Sequence, residues 1–309
     1  MTRVGTLAEN NQILGYLQQS KSTAEDLETQ ITTGLKSTNF SGVAPQASQL
    51  VNLTDQQAKQ QGYIDTINTV STRLQVMGLS ISSIETLATQ FVGNLPADAY
   101  NTQGETIQEQ AQQILNQVAG YLNTQDGSNY VFSGNNTTVP PVNTNGLPNP
   151  GSLTTPSDGA PPNGYYQGDD GIATATVDNN VTLSYGVDAN NPAFEQFIRV
   201  LNFLANSPPF DQSNATDVAN VNQATQMLNQ VVTELQTLQG TNALQQGQLS
   251  NQLSTHQNAL SLAQSNIADI TQVDPAAAIT QLDTLQTQLQ ASYQVVGILQ
   301  QLSLVNYIK

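Results

Sequence analysis

Ten apolar positions constrain this chain more than any other feature. Tyr63, Ile67, Val70, Leu74, Met77, Ile81, Ile84, Ala88, Phe91 and Leu95 recur at alternating steps of four and three without a gap. That spacing places them all on one side of an α-helix. Starting near Leu53, the helix extends over roughly 40 residues, or about 60 Å at ~1.5 Å per residue. Single helices of this length in soluble proteins are elements of coiled coils or bundles. The chain must therefore supply, or find, other helices to cover this stripe.

It supplies several. Near the start, Ile13, Leu17, Ala24, Leu27 and Ile31 follow a heptad spacing, with Ser20 in the gap. A stretch from Thr33 to Pro45, with Gly34, Gly42 and small polar residues, predicts a loop before the long helix. A further helix carries Ile107, Ala111, Ile114, Val118 and Tyr121. Val221, Ala224, Leu228, Val231, Leu235 and Leu238 form another stripe, continued by Leu249, Leu253, Leu260, Ala263, Ile267 and Ile270. Gly240 and Gly247 weaken the seam between these two sections. Asp274-Pro275 reads as an N-cap followed by proline at the first helical position, so a last helix starts there. Its stripe is Leu282, Leu285, Leu289, Val296 and Leu299.

The middle differs. From Asp126 to Pro192 it is rich in Gly, Pro, Asn and Thr and has no helical period; Pro140, Pro141 and Pro156 to Pro162 cannot lie inside helices. Ile172–Val177 and Val181–Tyr185 alternate as strands around a hairpin loop, Asp178-Asn179-Asn180. Asn191-Pro192 opens a short helix with Phe194, Phe197, Ile198, Leu201 and Leu204 on one face, ending before Pro208. The expected fold is mainly α: a long antiparallel helical bundle or coiled coil made from both chain ends, with a small β-rich insert. The expected domains are 1–33 with 274–309 at the termini, a 34–50 linker, a bundle of 51–125 with 211–273, and an insert over 126–210.

Charge narrows the function. Only 10% of the residues are charged and the net charge is −16, with seven Lys plus Arg. No basic stripe exists to displace counterions from phosphates, so nucleic acid is not an expected partner, nor is an anionic membrane. Gln, Asn, Ser and Thr take the place of charges, leaving helix surfaces that pack against copies of themselves. The absence of cysteine excludes disulfides and thiolate chemistry. The first residues lack the apolar core of a cleaved secretory leader, and no apolar run approaches the roughly 20 residues that span a bilayer.

Nothing points to catalysis. His256 is the one histidine, in the stripe between Leu253 and Leu260; without a second His or Cys it reads as a seam or surface residue. Asp169-Asp170-Gly171 lacks the distal carboxylate of a calcium loop and reads as a turn into a strand. Gly134, Gly168 and Gly171 do not have the spacing of a phosphate cradle. No catalytic, cofactor-binding or metal-ligating residues are expected. Tyr165, Tyr166 and Tyr185 would suit sugar stacking if exposed, and core packing otherwise.

The two ends suggest assembly. Each carries an apolar stripe, and each is set off from the bundle by a breaker. Burying one Leu or Ile is worth roughly 1.5–3 kcal/mol, so uncovered terminal stripes favour association with other subunits. The expected assembly residues are Ile13, Leu17, Leu27 and Ile31 at one end, and Leu282, Leu285, Leu289, Val296, Leu299 and Leu302 at the other. The ends are expected to be mobile in the monomer and helical in the polymer; a closed intramolecular bundle is the alternative.

Several motifs resemble one known family. Leu27–Lys36, ending Thr33-Gly34-Leu35-Lys36, is similar to the first helix of the flagellin superfamily, which closes on Ser/Thr-Gly-x-Arg/Lys. Ile270–Asp274, Gln290–Tyr293 and Leu302–Ile308 resemble its C-terminal end, the last stretch being most similar to the hook–filament junction proteins within it. Asn129–Gly134 resembles the family's Tyr-x-Phe-Ser-Gly strand, and Tyr165–Gly171 resembles the Tyr-x-Gly-Asp segment of the junction proteins. One departure stands out: where family members carry an acidic pair, Asn39–Pro45 has none.

The resemblance implies a structural, non-enzymatic flagellar subunit that lies outside the cell and is exported without a cleaved leader. The implied partners are copies of itself, a neighbouring hook-associated protein, flagellin and an export chaperone. Filament flagellin, or a flagellin-like adhesin that binds glycans through the insert, are the alternatives.

Overall fold

A computed structural model describes residues 2–101, 106–145, 147–148, 151–154 and 164–307; the side chains of 2–10, 40–41 and 299–307 are not described. The fold is mainly α. In chain order it comprises α1 (Thr2–Thr33), a 3-10 helix (Phe40–Gln46), α2 (Ala47–Asp98), α3 (Ile107–Leu122), β1 (Gln125–Asp126) and β2 (Asn129–Tyr130). There follow β3 (Ala173–Asp178), β4 (Val181–Tyr185), α4 (Pro192–Asn206), α5 (Ala215–Thr271) and α6 (Pro275–Tyr307). The chain divides into two compact units: residues 1–59 with 259–309, and residues 60–258.

The larger unit is built on the ungapped stripe. Ile67, Leu74, Ile81, Ile84, Ala88 and Leu95 of α2 are buried, and so are Val221, Ala224, Leu228, Val231, Leu235 and Leu249 of α5. The two helices run antiparallel: Gln236 and Gln239 donate to the Glu85 carboxylate, and further along Asn242 donates to Leu74 O. Predicted as two stripes weakened at Gly240 and Gly247, α5 is in fact one continuous helix of 57 residues. A glycine in a helix interior costs about 1 kcal/mol relative to alanine, too little to break a helix supported by tertiary packing along one face.

α3 starts at a capping box: Thr106 Oγ1 accepts from Glu109 N, and the Glu109 carboxylate accepts from Thr106 N at 2.9 Å. α4 starts as expected, with Asn191 Oδ1 accepting from Ala193 N and Pro192 in the first turn. It is buried on nearly every side, including the ion pair Arg199–Glu195 at 3.0 Å. α3 and α4 pack on each other and share one core with α2 and α5.

Among the described residues the sheets are two small antiparallel hairpins, β1–β2 and β3–β4. The β3–β4 turn is Asn179-Asn180, with Asn180 at φ 58°, a left-handed conformation that Asn tolerates better than most residues. Tyr165, Tyr166 and Tyr185 are 0, 8 and 9% exposed, so they pack in the core and have no face free for a sugar. Tyr165 donates its hydroxyl to Ala189 O at 2.8 Å, satisfying the one polar group that burial would strand.

His256 lies in the seam, 3% exposed. Its Nε2 donates to Val177 O at 2.8 Å, its Nδ1 meets the Gln60 carboxamide at 2.5 Å, and Tyr63 packs beside the ring. The histidine therefore fastens strand β3 to the helix pair. Among the described residues, no cluster of three or more His, Cys, Asp or Glu side chains is arranged to hold a metal ion, and no helix is long and apolar enough to cross a membrane.

Candidate assembly surface

The smaller unit contains the terminal helices and the two chain reversals behind them. α1 ends at Gly34, whose φ of +70° turns the chain out of the helix and whose N–H still bonds Gln30 O. Residues 34–36 then pair with residues 271–273: Lys36 N donates to Thr271 O at 2.8 Å, Val273 N to Gly34 O at 3.0 Å, and Lys36 Nζ to Asp269 O at 2.5 Å. The Thr-Gly-Leu-Lys motif therefore serves as a backbone clasp. Asp274 starts α6 as predicted, its Oδ1 accepting from Ala276 N and Ala277 N ahead of Pro275.

Behind the clasp, Val43, Leu50 and Ile270 form a small core with Leu53 and Ile267. Part of the predicted loop is ordered: Phe40–Gln46 winds as a 3-10 helix that includes Pro45. Short 3-10 turns are common as connectors between helices, and here one seats Val43 against Leu50. The Asn39–Pro45 stretch, which carries no acidic pair, supplies this apolar seat.

α1 and α6 pack on one another antiparallel. Leu17, Ala24, Leu27 and Ala278 are buried, whereas Ile13, Ile31, Leu282, Leu285, Leu289 and Val296 are only half-buried. Leu299 and Leu302 belong to α6, but their side chains lie outside the described set. Two grooves remain along the pair. One, of about 620 Å³, is lined by Thr23, Leu27, Thr280, Thr284, Leu285 and neighbours on α6. The other, of about 330 Å³, is lined by Ile13, Tyr16, Leu17, Ser20, Ala291, Ser292 and Val295.

Both helices also leave apolar side chains exposed, Tyr16 and Val295 at the edge of a groove. On α6 these are Ile279, Tyr293, Val295 and Ile298, 46 to 56% exposed; on α1 they are Leu14 and Tyr16, at 52 and 60%. The heptad reading passed over them because they fall off the stripe. The signal was present, since α6 has apolar residues around its whole circumference, and a helix of that kind is built to be buried on all sides. One neighbouring helix cannot do that.

Comparison with known proteins finds a match at the C-terminal end. Residues 218–308 match the model of the bacterial flagellin C-terminal helical region. Over that region the chain is similar to the flagellins. Its fold is similar to that of a chain described as a flagellar hook-associated protein from Vibrio parahaemolyticus, at 13% identity and a TM-score of 0.58, covering 75% of this chain and 100% of that one. FlgL from Bacillus cereus aligns more loosely, at 13% identity and a TM-score of 0.39 over 74% of this chain and 99% of that one. No curated protein matches the sequence. The flagellin match spans nearly all of α5, the C-terminal strand of the clasp and α6, the second helix of the exposed pair.

Proposed function

We propose that this protein is a structural subunit of the bacterial flagellum that joins hook to filament through its terminal helices. One observation carries the reading: α6 has apolar residues around its circumference, yet Ile279, Tyr293 and Ile298 stay about half exposed. At roughly 1.5–3 kcal/mol per buried Leu or Ile, covering Ile279, Val295 and Ile298 in an assembly outweighs leaving them in water. The flagellin C-terminal region and the fold shared with a hook-associated chain support the flagellar setting outside the cell. The junction is favoured over the filament by the Leu302–Ile308 tail and the Tyr165–Asp170 segment.

On this reading the assembly residues are Ile13, Leu17, Leu27, Ile31, Leu282, Leu285, Leu289, Val296, Leu299 and Leu302, joined by the outward residues above. The partners are further copies of the chain, an adjoining hook-associated protein and the first flagellin subunits. An export chaperone would shield the same apolar surface before assembly. Activity as an enzyme forms no part of the proposal.

Deleting the gene in its native bacterium tests the junction role directly. The expected result is complete hooks without filaments and unassembled flagellin in the medium, with gold-labelled protein in the complemented strain confined to the hook tip. Label distributed along the filament would assign the chain to the filament instead.

A further inference from the structure

The α5 stripe turns polar between Leu238 and Leu249, and the buried side chain at its centre is the Asn242 carboxamide. Asn242 is 8% exposed, between Leu238 and Leu249. Its Nδ2 donates to Leu74 O on α2 at 3.0 Å. Gly78 makes that approach possible, because a Cβ there would stand 2.5 Å from the same nitrogen. The other end of the amide is unresolved by protein: Asn242 Oδ1 is buried and has no hydrogen-bond partner among the described residues.

A cavity of about 30 Å³ lies against this residue, between α2, α5 and the segment that follows β4; Met77, Gly186, Val187 and Gln245 help to line it. Roughly 10–15 Å³ is enough to admit one water, provided two or more polar groups can hold it. The polar groups are there. Gly186 N meets Gln245 Oε1 at 3.4 Å and Gln245 Nε2 meets Ser184 O at 3.4 Å, both long, weak bonds made by residues that line the cavity.

We infer that this cavity binds one structural water, which donates to Asn242 Oδ1 and bridges to the Gly186–Gln245 pair. Asn242 then grips two elements at once: α2 directly through Nδ2, and the exit of the β3–β4 hairpin through the water. Leucine has nearly the same shape and would serve a seam whose only requirement was packing. A carboxamide is the better choice where a water must be held.

The test is water-to-amide cross-relaxation by NMR on the isotopically labelled full chain. The expected result is a long-lived water cross-peak at the Gly186 amide and at the Asn242 carboxamide, with the Gly186 peak lost in Asn242→Leu. Absence of these peaks from the native chain would overturn the inference, whatever the variant does. So would a Gly186 peak of undiminished intensity in Asn242→Leu. Should that variant not fold, the native chain decides by itself: cross-peaks at both Gly186 and Asn242 support the inference, and a missing peak at either overturns it.

Discussion

Single residues set the geometry of the Tyr165–Gly171 motif, and they do so through backbone rather than through chemistry. Asp169 Oδ1 accepts from Asn135 N at 2.7 Å and from Gly171 N at 3.0 Å, tying the motif to the turn after β2. A Cβ at Gly134 would collide with Asp169 O, so the two motif glycines and the aspartate fit only as a set. The turn was legible in the sequence as Asp-Asp-Gly. Its long-range partner was not, because the partner lies 34 residues away and pairing at that distance leaves no local pattern.

Asp188 sits beside this turn. Burial, then the neighbouring Asp170 and Asp169 carboxylates, push its pKa up, against a bond from Asn190 N that lowers it. A pKa higher in the folded than in the unfolded chain means that the folded chain binds the proton more tightly. Stability from this group is complete below the ordinary carboxylate range and is lost as pH rises through the raised value. Asp188→Asn keeps an acceptor for Asn190 N and removes the charge. It is expected to melt higher than the native chain at neutral pH and to flatten the loss of stability just above the carboxylate range. Thermal melts from about pH 4 to about pH 8 check this; a lower melting point at neutral pH would show that the charged bond outweighs the burial.

At the scale of elements, periodicity carried most of the information. The stripe from Tyr63 to Leu95 and the helix starts at Asn191 and Asp274 were all readable, because each is a local rule of spacing or capping. The continuity of α5 was harder to read. Between Leu238 and Leu249 its seam positions are polar, and the sequence offers no sign that Asn242, Gln245 and His256 answer to backbone carbonyls of α2, β4 and β3. A polar seam residue looks like a defect until its partner is seen.

The same helices separate packing from exposure. Ile84 is fully buried in the α2–α5 seam, while Leu79 of the same helix is 72% exposed. Ile84→Ala is expected to cost about 2–5 kcal/mol in denaturant unfolding. Leu79→Ala should stay within about 0.5 kcal/mol of the native chain. Equal losses at the two sites would mean that the outward face of α2 is covered in the isolated chain.

For the whole molecule, what matters is where apolar surface is left over. In the larger unit the stripes of α2 and α5 meet each other and the insert, and their aliphatic side chains are almost all buried. In the smaller unit α1 and α6 bury one face and leave grooves and apolar side chains on the rest. Sequence periodicity located the shared face but not the surplus, since a heptad reading counts only residues that fit the heptad. With a net charge of −16 spread over few ionised groups, little on these helices opposes close packing of copies beyond long-range repulsion, which salt screens.

The claim that this surplus surface drives assembly is tested most directly by incorporation in cells. The amount of protein retained on isolated flagella, relative to the amount secreted, would be compared for the native chain, Ile298→Asp and Leu244→Asp. Ile298 is 56% exposed on α6, and Leu244 is 77% exposed on α5 in the larger unit, so neither change disturbs a core. Losing one buried aliphatic contact of roughly 1.5–3 kcal/mol predicts a fall of about ten- to a hundredfold for Ile298→Asp, with Leu244→Asp retained like the native chain. Native-level incorporation of Ile298→Asp, or an equal loss in Leu244→Asp, would contradict assembly through the terminal helices.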